Sequence, residues 1–190
     1  RWKQLHMEDA HLSVTYDMNG IYGKFGGAAY EGYVNGEFNI YLDTNFSWDG
    51  WITGTGVRTT EITQKMCPAY LLLDGKVDLT VIAQGNQHEV YQCDVKFKNQ
   101  SPGTFNIVAL NDILKTLPPN LAGYEHDIMR IGVETLGDFD YDTVDGKCRF
   151  YGREGKGFLH LIGPTGSRNI DLNIYDHRWK VPKPKVTVQN

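Results

Sequence analysis

Between Tyr70 and Phe97 the chain reads YLLLDGKVDLTVIAQGNQHEVYQCDVKF, and this stretch restricts the fold more than any other. Leu71, Leu73, Val77, Leu79, Val81 and Ala83 recur at every second position, with Gly75 filling the gap. Asp74, Lys76, Asp78, Thr80 and Gln84 stand between them. Side chains alternate faces along a strand, so the spacing predicts a long extended segment with one oily and one wet face. After Gln84-Gly85-Asn86-Gln87 the alternation resumes, with Tyr91, Cys93, Val95 and Phe97 pointing one way. Two such runs around a Gly/Asn turn predict a hairpin.

The same two-residue period runs through most of the chain. Leu12, Val14, Tyr16 and Met18 share a face, and Asn19-Gly20 predicts a tight turn into a strand from Ile21 to Phe25. Gly26-Gly27 is expected to break that run before a strand over Ala28 to Val34. Asn35-Gly36 and Asp145-Gly146 predict two more tight turns. Further strands are expected over Glu37–Asp43, Phe46–Val57, Ile128–Leu136, Phe139–Thr143, Lys147–Tyr151, Gly157–Ile162 and Asn169–Tyr175. Gly163-Pro164-Thr165-Gly166 predicts the last turn. Thr60 to Met66 reads as one or two helical turns before Pro68. The period changes once more strongly. Leu110, Ile113, Leu114 and Leu117 fall at i, i+3, i+4 and i+7, predicting an amphipathic helix over about 107–117. Asn106 would cap it and Pro118 stop it. The expected fold is therefore mainly β: a curved antiparallel sheet, or an incompletely closed barrel or sandwich, with one short helix. The 21 glycines and 11 tyrosines of the 190 residues suit strands and tight turns. Residues 1–10 read as a polar lead, 11–178 as a single β domain, and 179–190 as a Pro/Lys-rich tail or cut point. Both ends look like cut points in a longer protein.

Charge and motifs exclude several functions. A net charge of −4 without a long run of one sign points away from nucleic acid. Gly152-Arg153-Glu154-Gly155-Lys156-Gly157 lacks the spacing of a phosphate loop and reads as a hairpin loop. Asp138, Asp140, Asp142 and Asp145 alternate along a wet strand face and lack the pattern of a calcium loop. His160 and the other histidines are scattered. No nucleophile elbow or His-Glu-x-x-His motif occurs. No catalytic residue, metal site or cofactor is expected. Cys93 and Cys148 read as buried thiols; with Cys67 they leave one disulfide plus a free thiol open. Tyr41, Phe46, Trp48 and Trp51 cluster in sequence and read as sheet packing or as an aromatic platform for sugar or lipid.

One family resemblance emerges from the order of elements. It rests on Gly103-Thr104-Phe105-Asn106-Ile107, Leu110-Asn111-Asp112-Ile113-Leu114 and Phe139-Asp140-Tyr141-Asp142. Gly146 to Phe150 and Gly157 to Pro164 extend it, as do the glycine-bearing runs Ala29–Phe38 and Leu73–Leu79. This pattern resembles the C-terminal region of AsmA-like proteins, the group that includes TamB, over about residues 10–178. The resemblance implies a non-enzymatic domain of a membrane-anchored, periplasm-facing cell-envelope protein. It implies phospholipid transport or outer-membrane assembly along an apolar groove that takes acyl chains. Leu71, Leu73, Val77, Leu79, Val81, Tyr91, Val95 and Phe97 are the expected groove or core lining. The alternatives are a structural module docking neighbouring repeats or envelope proteins by its sheet edges, and a carbohydrate-binding or carbohydrate-acting domain.

Overall fold

The computed structural model describes residues 7–66, 72–106, 138–152 and 154–174. In chain order these form β1 (Glu8–Tyr16), β2 (Gly20–Ala29), β3 (Gly32–Tyr41), β4 (Trp48–Arg58), α1 (Thr59–Met66), β5 (Leu72–Asp74) and β6 (Lys76–Gly85). There follow β7 (Val90–Asn99), β8 (Gly103–Asn106), β9 (Asp138–Tyr141), β10 (Thr143–Tyr151), β11 (Glu154–Gly163) and β12 (Gly166–Ile174). Nine strands make one sheet in the order β1-β2-β3-β4-β6-β7-β10-β11-β12, and β5-β8-β9 make a second. Every pairing is antiparallel. The large sheet does not close: among the described residues β1 and β12 end it as open edges. The mainly β expectation holds, and the sheet is a meander. The predicted helix over 107–117 and the predicted strand over Ile128–Leu136 lie outside the described residues.

The small sheet is the large one bent over. Its strands β5, β8 and β9 continue β6, β7 and β10, and keep the same lateral order. The first bend is at Gly75, whose φ of 147° is open to glycine and not to a residue with a Cβ. The third is at Asp142, between β9 and β10. Asn99, ending β7, holds these bends together. Its Nδ2 donates to the Asp142 carbonyl at 2.7 Å and its Oδ1 accepts from the Val144 amide at 2.8 Å. The Tyr141 hydroxyl donates to the Asp74 carbonyl at 2.8 Å, tying β9 to the end of β5. The folded-over strands enclose a core of Leu73, Phe105, Phe139, Tyr141, Val144, Leu159 and Leu161, with Phe97 and Ile170 packed against it. The alternation from Leu73 to Ala83 thus spans two sheets, not one strand. α1 begins at Thr59, one residue before the start read from the sequence. The Thr59 hydroxyl donates to the Leu73 carbonyl at 2.7 Å and anchors the helix to β5.

Several predicted turns are mid-strand glycines. Asn35-Gly36 lies inside β3 and Asp145-Gly146 inside β10. Gly26-Gly27 does not break β2. The turn between β2 and β3 is Tyr30-Glu31, with φ of 51° and 60°. That costs each side chain left-handed strain. Glu31 is held there by Arg58 Nη1 at 2.7 Å. Between β1 and β2 the turn is organised by Asp17, whose Oδ1 accepts from the Asn19 and Gly20 amides. Tyr16 therefore pairs with Ile21, two residues away from the expected register. A slip of two preserves the faces, so Leu12, Val14 and Tyr16 still share a side with Ile21 and Phe25. The last turn, Pro164-Thr165 between Gly163 and Gly166, is as predicted.

The mid-strand glycines have a common role. A methyl group on Gly36 would lie 2.7 Å from Phe25 Cζ, and one on Gly85 would lie 2.9 Å from the Trp48 ring. Phe38 lies across Gly23, Phe97 across Gly146 and Phe150 across Gly155, closer still. Each ring rests on a glycine of the adjacent strand. Aromatic rings covering cross-strand glycines in this way restore the packing that a missing side chain forfeits. Gly146→Ala should therefore destabilise the protein by about 1–3 kcal/mol through the displaced Phe97 ring. Combining it with Phe97→Leu should recover part of the loss. Urea unfolding of the two variants beside the parent checks both points.

Candidate functional site

Three rows of side chains cross the large sheet on one face. The first runs Leu12, Phe25, Gly36, Ile52, Val81, Val95, Cys148 and Gly157, from β1 to β11. The second runs Val14, Gly23, Phe38, Gly50, Ala83, Cys93, Phe150 and Gly155. The third, beginning at β2, is Gly27, Val34, Gly54, Leu79, Phe97, Gly146, Leu159 and Ile170. None of the three contains a polar side chain. The small sheet covers the β10–β11 end of this face, where Leu159 and Leu161 are buried. Toward β1 the face is open: Ile52 is 37% exposed, Val14 48% and Leu12 67%. Contiguous exposed apolar surface on this scale marks a binding surface for something apolar.

The expected lining residues divide between core and open face. Leu73 belongs to the core between the sheets, and Val77 is buried beside its partner Val57. Leu79 pairs with Phe97, and Val81 with Val95. These four are half-buried at the centre of the apolar face. Tyr91 sits at the β6–β7 bulge near the hairpin rim, where its hydroxyl accepts from Asn86 Nδ2 at 2.6 Å. Leu71 lies outside the described residues. The strand alternation that singled out β6 and β7 also existed in β2 and β3. Phe38 and Ile40 mark it in the second half of β3, but in β2 and the first half of β3 glycines stand at many of the places under the rings of Phe25 and Phe38. Ile21, Phe25, Phe38, Ile40 and Ile52 are thus further members of the face.

Two thiols lie on it as well. Cys93 and Cys148 belong to adjacent rows on neighbouring strands, both half-buried and both free. Burial raises the pKa of each above the ordinary thiol value. The charge of Asp94 adds to the effect at Cys93, and Cys93 itself adds to it at Cys148. Cys67 lies outside the described residues.

The opposite face carries the charges. Asp94 on β7 accepts a hydrogen bond from Arg149 Nε on β10. That bond, helped by Gln92, holds the Asp94 carboxyl below its ordinary value against the opposing effect of desolvation. A shallow hollow of about 320 Å³ is lined by Thr80, Lys96, Lys98 and Lys147, with Asp78 and Asp145 flanking Lys98. Lys96 stands opposite Lys147, whose ammonium lies 5.5 Å from the Phe158 ring centroid. His160 Nδ1 and Asn169 Oδ1 are 2.6 Å apart across β11 and β12. Among the described residues no three His, Cys, Asp or Glu side chains are grouped to hold a metal ion. The carboxylates Asp140, Asp142 and Asp145 do not share one strand: they lie in β9, at the bend and in β10, and all three are exposed. The sequence cluster of Tyr41, Phe46, Trp48 and Trp51 is split by the sheet. Trp48 lies over Gly85 on the apolar side, donating its indole N–H to the Asn86 carbonyl at 3.0 Å. Tyr41 and Trp51 stand on the polar side. Phe46 sits in the β3–β4 loop.

No family model matches the chain, and no curated protein or solved structure does.

Two outcomes are expected. Alkylation of Cys93 and Cys148 at neutral pH should be much slower in the folded protein than in urea, because the reactive thiolate is disfavoured by burial. Mass spectrometry of iodoacetamide-treated protein reads this. The lowered pKa of Asp94 means that its contribution to stability is present above the unfolded value of about 3.8 and is lost as pH falls through the folded value. Arg149→Met should flatten the acid limb of the stability–pH curve in that window and leave the curve above pH 6 parallel to that of the parent.

Proposed function

We propose that this chain is a non-catalytic lipid-handling domain of a bacterial cell-envelope protein of the AsmA-like kind, facing the periplasm. Its apolar face takes the acyl chains of phospholipids in transit or during outer-membrane assembly. One observation carries the reading: apolar rows cross the large sheet without a polar interruption, and only one end is covered by the second sheet. Burying each methylene of an acyl chain on such a surface gains about 0.8 kcal/mol. The Leu79, Val81, Val95 and Phe97 side chains offer contacts without direction, which suits a chain that must slide. Rings lying flat on glycines keep the surface smooth from β2 to β11. The family element rests on the glycine-bearing runs quoted above. Among the described residues no helix is long and apolar enough to cross a membrane.

A second reading is favoured by one feature. β1 is an open edge carrying exposed Leu12, Val14 and Tyr16, with no lysine or proline to block strand addition. A neighbouring repeat or an envelope partner could continue the sheet there and carry the apolar rows onward.

Photo-crosslinking separates these readings. A benzophenone amino acid at position 52 or 95 should label diacyl phospholipid in vesicle-incubated protein. The same group at position 80 or 96, on the opposite face, should not. Equal labelling from both faces, or none from either, would remove the lipid reading. Val81→Asp should also lower the lipid recovered by organic extraction, with labelling at 95 reduced in parallel.

A further inference from the structure

The polar face of β2, β3 and β4 contains a group of side chains that the lipid reading does not use. Tyr22, Tyr41 and Trp51 stand there together. Tyr22 pairs with Asn39 and is diagonal to Tyr41, while Trp51 pairs with Glu37 on one side and Ile82 on the other. Strand neighbours are about 4.8 Å apart, so the three rings occupy a patch about two strand spacings wide. Tyr41 is 37% exposed, Ile82 is 56% exposed and Trp51 is half-buried. Hydrogen-bonding groups are fixed among the rings. Asp49 accepts from Asn39 Nδ2 at 2.8 Å and from the Tyr41 hydroxyl at 2.6 Å. Glu37 takes the Lys24 ammonium at 2.7 Å and a hydrogen bond from the Trp51 side chain. A carboxylate has about four acceptor sites, so Asp49 keeps two for an incoming hydroxyl.

We propose that this patch is a platform for a neutral oligosaccharide. The pairing of ring faces with pre-aligned carboxylate and amide groups is what a sugar requires. Its C–H face is electropositive and stacks on the π surface of Trp or Tyr, and its hydroxyls rim the ring within reach of Asp49, Asn39 and Glu37. The held geometry of Asp49 means that little ordering is lost on binding. Charge selects against acidic glycans, since Glu37 and Asp49 face the ligand and the one nearby cation, Lys24, already pairs with Glu37. The proposal stands apart from the lipid reading, because the two sites are on opposite faces of one sheet.

The test is a titration of the full chain with cellohexaose and chitohexaose, followed by the indole N–H resonances. The Trp51 signal should shift and the Trp48 signal should not. Trp51→Ala should weaken binding at least about tenfold, equivalent to about 1.4 kcal/mol. Tyr41→Phe keeps the ring but frees Asp49, and should weaken binding less than Tyr41→Ala. Circular dichroism confirms that each variant keeps its sheet, and the more exposed Tyr41→Ala carries the test if Trp51→Ala unfolds. Failure of both hexasaccharides to move Trp51 at millimolar concentration would overturn the proposal. So would unchanged affinity in Trp51→Ala and Tyr41→Ala, or tighter binding of a polyuronic acid than of either neutral sugar. Capture of a protein by the patch in place of a glycan would overturn it equally.

Discussion

The contact on which this architecture depends is a phenylalanine ring laid across a glycine of the next strand. It recurs at Phe25 on Gly36, Phe38 on Gly23, Phe97 on Gly146 and Phe150 on Gly155. A glycine within a strand is normally a weakness, because it adds backbone entropy to the unfolded state and leaves a gap in the packing. Here the gap is filled by a ring that would otherwise stand upright. Where no second layer of described residues covers the sheet, this is how the apolar rows acquire lateral packing. Each ring buries surface against its own sheet, and Phe97 packs against the core between the two sheets as well.

The same contact explains what could and could not be read in the sequence. The strands β6, β7, β11 and β12 were legible because leucine, valine and isoleucine mark the period openly. In β2, β3 and β10 the period is intact but half its members are glycine. Asn35-Gly36 and Asp145-Gly146 carry the strongest short signal for a hairpin turn, yet each glycine is the seat of a ring from the adjacent strand, Phe25 for Gly36 and Phe97 for Gly146. Turn chemistry is local, whereas the demand for an empty seat is tertiary, and the tertiary demand won. Conversely, Tyr30-Glu31 has no turn signature at all. The Arg58 guanidinium on Glu31 and the flanking pair Ala29 with Gly32 place it there. The site residues show the same division. Val81 and Val95 could be assigned to one face by counting, but the separation of Leu73 from them depends on the bend at Gly75. Periodicity records the face of a residue and not the sheet to which it belongs.

Bending three adjacent strands at once also settles how the two sides of the molecule differ. The folded-over strands use Tyr141, Phe105 and Leu73 to seal one end of the apolar face, so burial there is complete. Away from that end, the rows from β1 to β4 remain accessible. On the reverse side, ion pairs such as Asp94 with Arg149 and the Asp49 cluster occupy a surface that water reaches freely. One layer of backbone thus separates two environments of opposite character, and away from the bulges the parity of a residue's number within its strand decides which of them a substitution meets.

The order of strands has a consequence for how the chain reaches this state. Most ladders join strands that follow one another closely, and such hairpins close over short loops in microseconds. The β7–β10 ladder is different, since its partners are separated by more than forty residues of chain, and loop closure becomes costlier with length. Two hairpin arrays, one ending at β7 and the other starting at β10, can therefore assemble early and independently. Their zipping together, with Phe97 settling onto Gly146, is the late event that commits the molecule to one continuous sheet.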